Sequence, residues 1–142
     1  AYFIEKRYAV VLVGGPDDRK AAEEIEGLVG SSSLLNLVGA CGLSVSAGIL
    51  RRAALLVTND SAPLHIAAAV GTPVVAVFCA TVPEFGFGPW GVPNVVLGVE
   101  GLACRPCGSH GGNTCPTGTH ACQLQVQATA VIEAANRLLE AQ

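Results

Sequence analysis

Methionine is absent, tryptophan occurs once, and aromatic residues make up only 5% of the 142 positions. The eight Lys and Arg are scattered, and eleven Asp and Glu leave a net charge of -3. Few rings and no basic stripe exclude a surface built to track and stack nucleic acid. No apolar run reaches the ~18 to 20 residues of a membrane span, and the first residues lack the basic and then apolar pattern of a signal peptide. A cytosolic setting is therefore expected. Charge is scarce as well, at 13% against 51% hydrophobic residues, which gives the chain material for a buried core rather than for disorder. Internal repeats and low-complexity segments are missing. The chain opens on Ala1, and Tyr2 to Tyr8 reads as the end of an element, so a fragment of a longer chain is expected.

What is present is organised around Leu55 to Phe78. Leu55 to Val57 is strand-forming, and Thr58-Asn59-Asp60-Ser61 supplies residues able to cap a helix start. Pro63 suits a first helical turn, Gly71 ends the helix, and Val74 to Phe78 is a second apolar strand. Strand, helix and parallel strand put the helix N-terminus at the carboxyl ends of the strands, where open α/β sheets bind ligands. The dipole and first-turn amides there favour a phosphate, and Asp60, Ser61 and His65 crowd the same end. His65, among apolar neighbours, reads equally as a buried histidine or a ligand-facing one. Ser61 lies between Asp60 and Ala62, not in the G-x-S-x-G elbow of a serine hydrolase.

The rest of the chain repeats the alternation. Ala9 to Val13 is a strand ended by Gly14-Gly15-Pro16, and Asp17-Asp18 can cap a helix through Val29 that buries Ala21, Ile25 and Leu28 or Val29. A carboxylate at Asp17 or Asp18 could also hold ribose hydroxyls. Leu35 to Val38 is a strand, and Ser44 to Arg52 a helix burying Val45, Ile49 and Leu50. Cys79 to Pro93 is an irregular loop, Val95 to Leu97 a last strand, and Val126 to about Ala141 a closing helix. Strands alternating with helices predict α/β architecture, a parallel sheet with helices on both faces.

Four thiols, Cys104, Cys107, Cys115 and Cys122, fall within the loop at 98–122, too densely for core packing alone. Tetrahedral structural zinc, two disulfides and free thiols remain open, with His110 and His120 as substitute metal ligands. Cys41 and Cys79 read as buried small hydrophobes.

Through VTNDSAPLHIAAAVGTPVVAVF, the preceding VVLVGGPDD and the later ATVPEFGFGPWG, the chain resembles the carboxyl-terminal half of family 9 glycosyltransferases, the bacterial lipopolysaccharide heptosyltransferases. CRPCGSHGGNTCPTGTHAC resembles a loop of many members. The resemblance implies a Rossmann-like nucleotide-sugar-binding domain over residues 1–142, one half of a GT-B type glycosyltransferase, with the Cys-rich loop before the last helix. It implies inverting transfer of heptose or a related sugar from an ADP-sugar donor to a lipid-linked, lipopolysaccharide-type acceptor, with no cofactor at the reaction centre. It also implies a cytoplasmic location, at the inner face of the bacterial inner membrane. Asp60, Ser61, the backbone of Ala62, Pro63 and Leu64, and His65 would lie by the donor's phosphates and sugar, and Asp18 would reach the ribose. The acceptor site and general base would belong to a preceding domain, so this chain is expected to bind nucleotide with little or no transfer. Where this chain has Ala62 the family usually has Gly, which changes how closely the backbone approaches the phosphates. The alternative is a stand-alone nucleotide-binding or assembly module that self-associates through an exposed sheet edge.

Overall fold

Short β-rich runs alternate with helices along the chain, and every strand pairing they form is parallel. The computed structural model describes residues 1–112 and 114–142 and divides into two compact units, Ala1–Gly48 and Ile49–Gln142. Helix α3 (Leu43–Arg52) crosses the division.

The first unit opens with one helical turn, α1 (Tyr2–Glu5), followed by β1 (Val10–Leu12), a 3-10 turn at Pro16–Asp18, α2 (Arg19–Val29) and β2 (Leu34–Asn36). β1 and β2 pair with Val10 opposite Leu34, Val11 opposite Leu35 and Leu12 opposite Asn36. α2 packs on β2, and Asn36 Nδ2 donates to Glu26 Oε2 at 2.8 Å. The face α2 buries is rotated from the expected one. Ala22 is buried and Val29 half-buried, while Ala21 and Ile25 are exposed and Leu28 is 87% exposed. Position 22 recurs at 29, two turns on, and that spacing sets the stripe. Val45 in α3 is likewise exposed, and its inward face is carried by Leu50 with Ile49 half-buried.

The second unit holds β3 (Leu56–Asn59), α4 (Ala62–Val70), β4 (Val74–Val77), β5 (Asn94–Leu97), the single turn α5 (Ala121–Leu124) and α6 (Ala128–Glu140). Its sheet runs β3-β4-β5, with Leu56 opposite Val74 and Val74 opposite Asn94. β4 is the central strand and reads as an unbroken apolar run because both its faces are covered. Val74, Ala76 and Phe78 alternate onto one face, where they form a core with Leu50, Leu56, Leu64 and Ala67. Val75 turns to the other face and is fully buried, as are Ala134 and Ala135 of α6, which packs on β4 and β5. Helices therefore cover both faces of this sheet.

Gly71 ends α4 in the left-handed conformation (φ 84), as the sequence predicts. Behind it, the buried Thr72 hydroxyl donates to Leu50 O at 2.7 Å and ties the turn entering β4 to the last turn of α3. The loop from Cys79 to Pro93 is irregular apart from a 3-10 turn at Pro83–Phe85.

Candidate functional site

β3 delivers its last residue, Asn59, to the carboxyl end of the sheet, and the chain turns there through Asp60 and Ser61 into α4. Ser61 occupies the N-cap position in extended conformation, but its side chain does not cap the helix. Instead its hydroxyl lies 3.2 Å from Thr58 Oγ1 and donates to Asn59 O at 3.3 Å. This corrects the capping role expected of Ser61 and leaves the first turn of α4 without side-chain acceptors. Pro63 has no N–H, and Leu64 N already donates to Ser61 O at 3.1 Å. The amide of Ala62, the dipole of α4 and the Ser61 hydroxyl are what this end offers an anion.

Of the predicted residues, Asp60 and Ser61 are half-buried at the turn, and Ala62 and His65 are exposed on the first turn of α4. His65 is thus not the buried histidine that its neighbours allowed. Leu64 is fully buried in the core, so only its backbone faces the site. Asp60 is held from two sides: its N–H donates to Val77 O at 3.3 Å, and its Oδ2 accepts from Thr81 Oγ1 at 2.5 Å. These bonds bring the carboxyl ends of β3 and β4 together around one carboxylate.

Thr81 was not foreseen, and neither was Arg105. The Arg105 guanidinium donates to Cys79 O and Val99 O at 2.9 Å and to Phe78 O and Thr81 O at 3.1 Å. Cys107 N donates to Ala80 O at 2.8 Å. The four consecutive carbonyls from Phe78 to Thr81 are therefore all held by the start of the Cys-rich loop. Gly98 makes room for this clamp, since a Cβ there would meet Arg105 Nη2 at 2.7 Å and Phe78 O at 2.8 Å. The signal available in the sequence was placement: Thr81 follows a parallel strand's carboxyl end, and Arg105 is the one cation of the Cys-rich loop.

Asp18 lies in the first unit, so the predicted set is divided between the two units. Its Oδ2 accepts the Gly15 N–H at 2.9 Å, closing the 3-10 turn instead of capping α2. The approach is close enough that a Cβ on Gly14 would meet Oδ2 at 2.8 Å, which explains the glycine. Arg19 Nη2 donates to Gly39 O at 3.0 Å, joining the loops that follow β1 and β2.

All six cysteines are free thiols, and among the described residues no three His, Cys, Asp or Glu gather into a metal-holding group. Neither the tetrahedral set nor the disulfides considered for Cys104, Cys107, Cys115 and Cys122 is formed. The loop is organised by other bonds. Cys107 Sγ donates to Cys104 O at 3.2 Å, while Cys115 Sγ lies 3.4 Å from Thr117 Oγ1 and accepts His120 N–H at 3.3 Å. His110 stacks at a tilt against Phe87, with ring centroids 5.9 Å apart. The Thr117 hydroxyl, and after it the His120 amide, pull the Cys115 thiol down to about 6. Cys107 moves upward, through desolvation and then the neighbouring Cys104, Cys122 and Cys115. Burial pushes Cys79 up as well, Cys122 adds to the rise, and Arg105 opposes it. Cys41 and Cys79 are half-buried rather than buried. A cleft of about 250 Å³ at the end of β5, lined by residues such as Leu97, Val99, Gln125 and Val126, carries no charged side chain.

Parallel α/β units with a polar turn and a bare helix start at the strands' carboxyl ends define a ligand-binding domain of the doubly wound class. Residues 1–115 match the family model described as glycosyltransferase family 9 (heptosyltransferase), and the chain belongs to that family. Lipooligosaccharide heptosyltransferase 2 of Campylobacter jejuni is 38% identical over 87 residues, covering 61% of this chain and 26% of that protein. The enzyme of the same name from Haemophilus influenzae is 34% identical over 85 residues, 58% of this chain and 25% of that protein. The solved structure of Escherichia coli ADP-heptose lipopolysaccharide heptosyltransferase II superimposes with a TM-score of 0.78 at 26% identity, over 97% of this chain and 38% of the other. The aligned regions thus span about a quarter of the curated relatives.

Proposed function

We propose that this chain is the donor-binding part of a heptosyltransferase that transfers heptose from an ADP-activated donor to a lipopolysaccharide-type acceptor. The observation that carries the proposal is the β3–α4 turn, where an acceptor-only carboxylate, Asp60, stands beside a helix start that its own N-cap does not satisfy. A sugar offers hydroxyl donors and a diphosphate offers anionic acceptors, and the two halves of the turn complement them. Asp60 takes sugar hydroxyls, while Ser61, the Ala62 amide and His65 face the diphosphate.

In the reaction, an acceptor hydroxyl attacks C1 of the sugar from the face opposite the diphosphate. The new O–C1 bond forms as the C1–phosphate oxygen bond breaks, its electron pair leaves with the diphosphate, and the proton passes to a base on a preceding domain. The α4 terminus stabilises the charge that grows on the leaving group. The reaction belongs at the cytoplasmic face of the membrane that carries the acceptor.

Calorimetric titration of the chain with ADP, UDP, GDP and ADP-heptose tests this reading. ADP is expected to bind, ADP-heptose to bind more tightly, and the His65→Ala variant to lose about tenfold in ADP affinity. The Asp60→Ala, His65→Ala double variant should in addition lose the extra affinity that ADP-heptose shows over ADP. No binding of any nucleotide by the native chain, or unaltered binding by the double variant, would overturn it.

A further inference from the structure

We infer that Thr81 is a positioning residue for the donor sugar: its hydroxyl fixes the Asp60 carboxylate, and the Cys-rich loop fixes Thr81. The inference rests on the assignment of Asp60 to the sugar hydroxyls. Thr81 is only 8% exposed, lies 21 positions from Asp60, and directs its hydroxyl at Oδ2 from the neighbouring strand end. An exposed aspartate would sample several rotamers and lose that freedom on binding. With Oδ2 already taken, the carboxylate is held in one orientation, and its remaining acceptor sites are presented without that cost.

Thr81 can do this because its own backbone is immobilised. Its carbonyl and those of Phe78 and Cys79 accept from Arg105, and the Ala80 carbonyl accepts from Cys107 N. The guanidinium is a planar fork, which a lysine could not replace at four carbonyls counting that of Val99. The resemblance to heptosyltransferases assigned the Cys-rich loop no role in donor binding. The geometry makes it the brace behind the aspartate.

The test compares two ligands, ADP and ADP-heptose, by calorimetric titration of four chains: native, Asp60→Asn, Thr81→Val and Thr81→Ser. Asp60→Asn should remove the extra affinity that the sugar confers, so that ADP-heptose loses more than ADP does. Thr81→Val, nearly isosteric but without the hydroxyl, should reproduce that signature with about a tenfold loss for ADP-heptose. Thr81→Ser, which restores the hydroxyl, should return to within about threefold of native. Equal losses for ADP and ADP-heptose in Thr81→Val would mark a merely structural role and overturn the inference. If Asp60→Asn removes the sugar increment while Thr81→Val keeps it, the inference fails and the assignment of Asp60 stands. An Asp60→Asn chain that retains the increment overturns both.

Discussion

Cys115 carries the largest local perturbation in the second unit, and it arises chiefly from hydrogen bonds, the Thr117 hydroxyl first and then the His120 amide, with the His120 charge adding least. With its thiol held at about 6 by the Thr117 hydroxyl and the His120 amide, it is mostly thiolate at neutral pH. Alkylation by iodoacetamide follows the thiolate fraction, so modification of Cys115 should be half-maximal near its shifted value and complete well before Cys107 or Cys79 begins to react. Site-resolved mass spectrometry between about pH 5 and 8 reads this directly, and Thr117→Val should move the midpoint upward. Other residues were legible from sequence to differing degrees. Asp60, Ser61 and His65 were visible because one turn brings them together. Thr81 was not, because its partner lies 21 positions away and only the pairing of β3 with β4 makes them neighbours.

Elements were legible wherever local chemistry and burial agreed. α4 lies where Pro63 and Gly71 bracket it, and β4 where an apolar run follows the turn. Faces were harder: α2 and α3 turn residues outward that periodicity alone would bury, because which stripe is covered depends on the strand beneath. α5 went unseen because it starts from His120 in a left-handed conformation (φ 50) inside a loop whose composition suggests no helix. Thr72 shows a join between elements that hydropathy does not reveal. Replacing it with Val removes the hydroxyl donor while the Leu50 carbonyl keeps the Ala53 N–H, and should cost ~0.5–1.5 kcal/mol in urea denaturation, whereas Thr72→Ser should recover most of that loss.

On a larger scale, two of the exposed apolar residues are cross-strand partners. Val11 and Leu35 sit opposite each other in the β1–β2 ladder, 37% and 53% exposed, so one face of that pair is open to solvent. Patches of this kind mark contact surfaces, and the chain on its own should associate with concentration. Light scattering across a dilution series would register it, and Leu35→Glu should leave a monomer. The Arg105 clamp has a further consequence for how the anion end responds to ionic strength. The guanidinium directs its hydrogen bonds into four backbone carbonyls, so it has no fork left to close on a phosphate. On the proposed assignment the diphosphate meets the Ala62 amide, the Ser61 hydroxyl, the helix dipole and the His65 ring but no Lys or Arg, and a complex held without such cations gives up little to dissolved salt. Raising sodium chloride from about 0.05 to 0.5 M should therefore change the affinity for ADP by less than about threefold, where a ligand gripped by exposed lysines would largely let go.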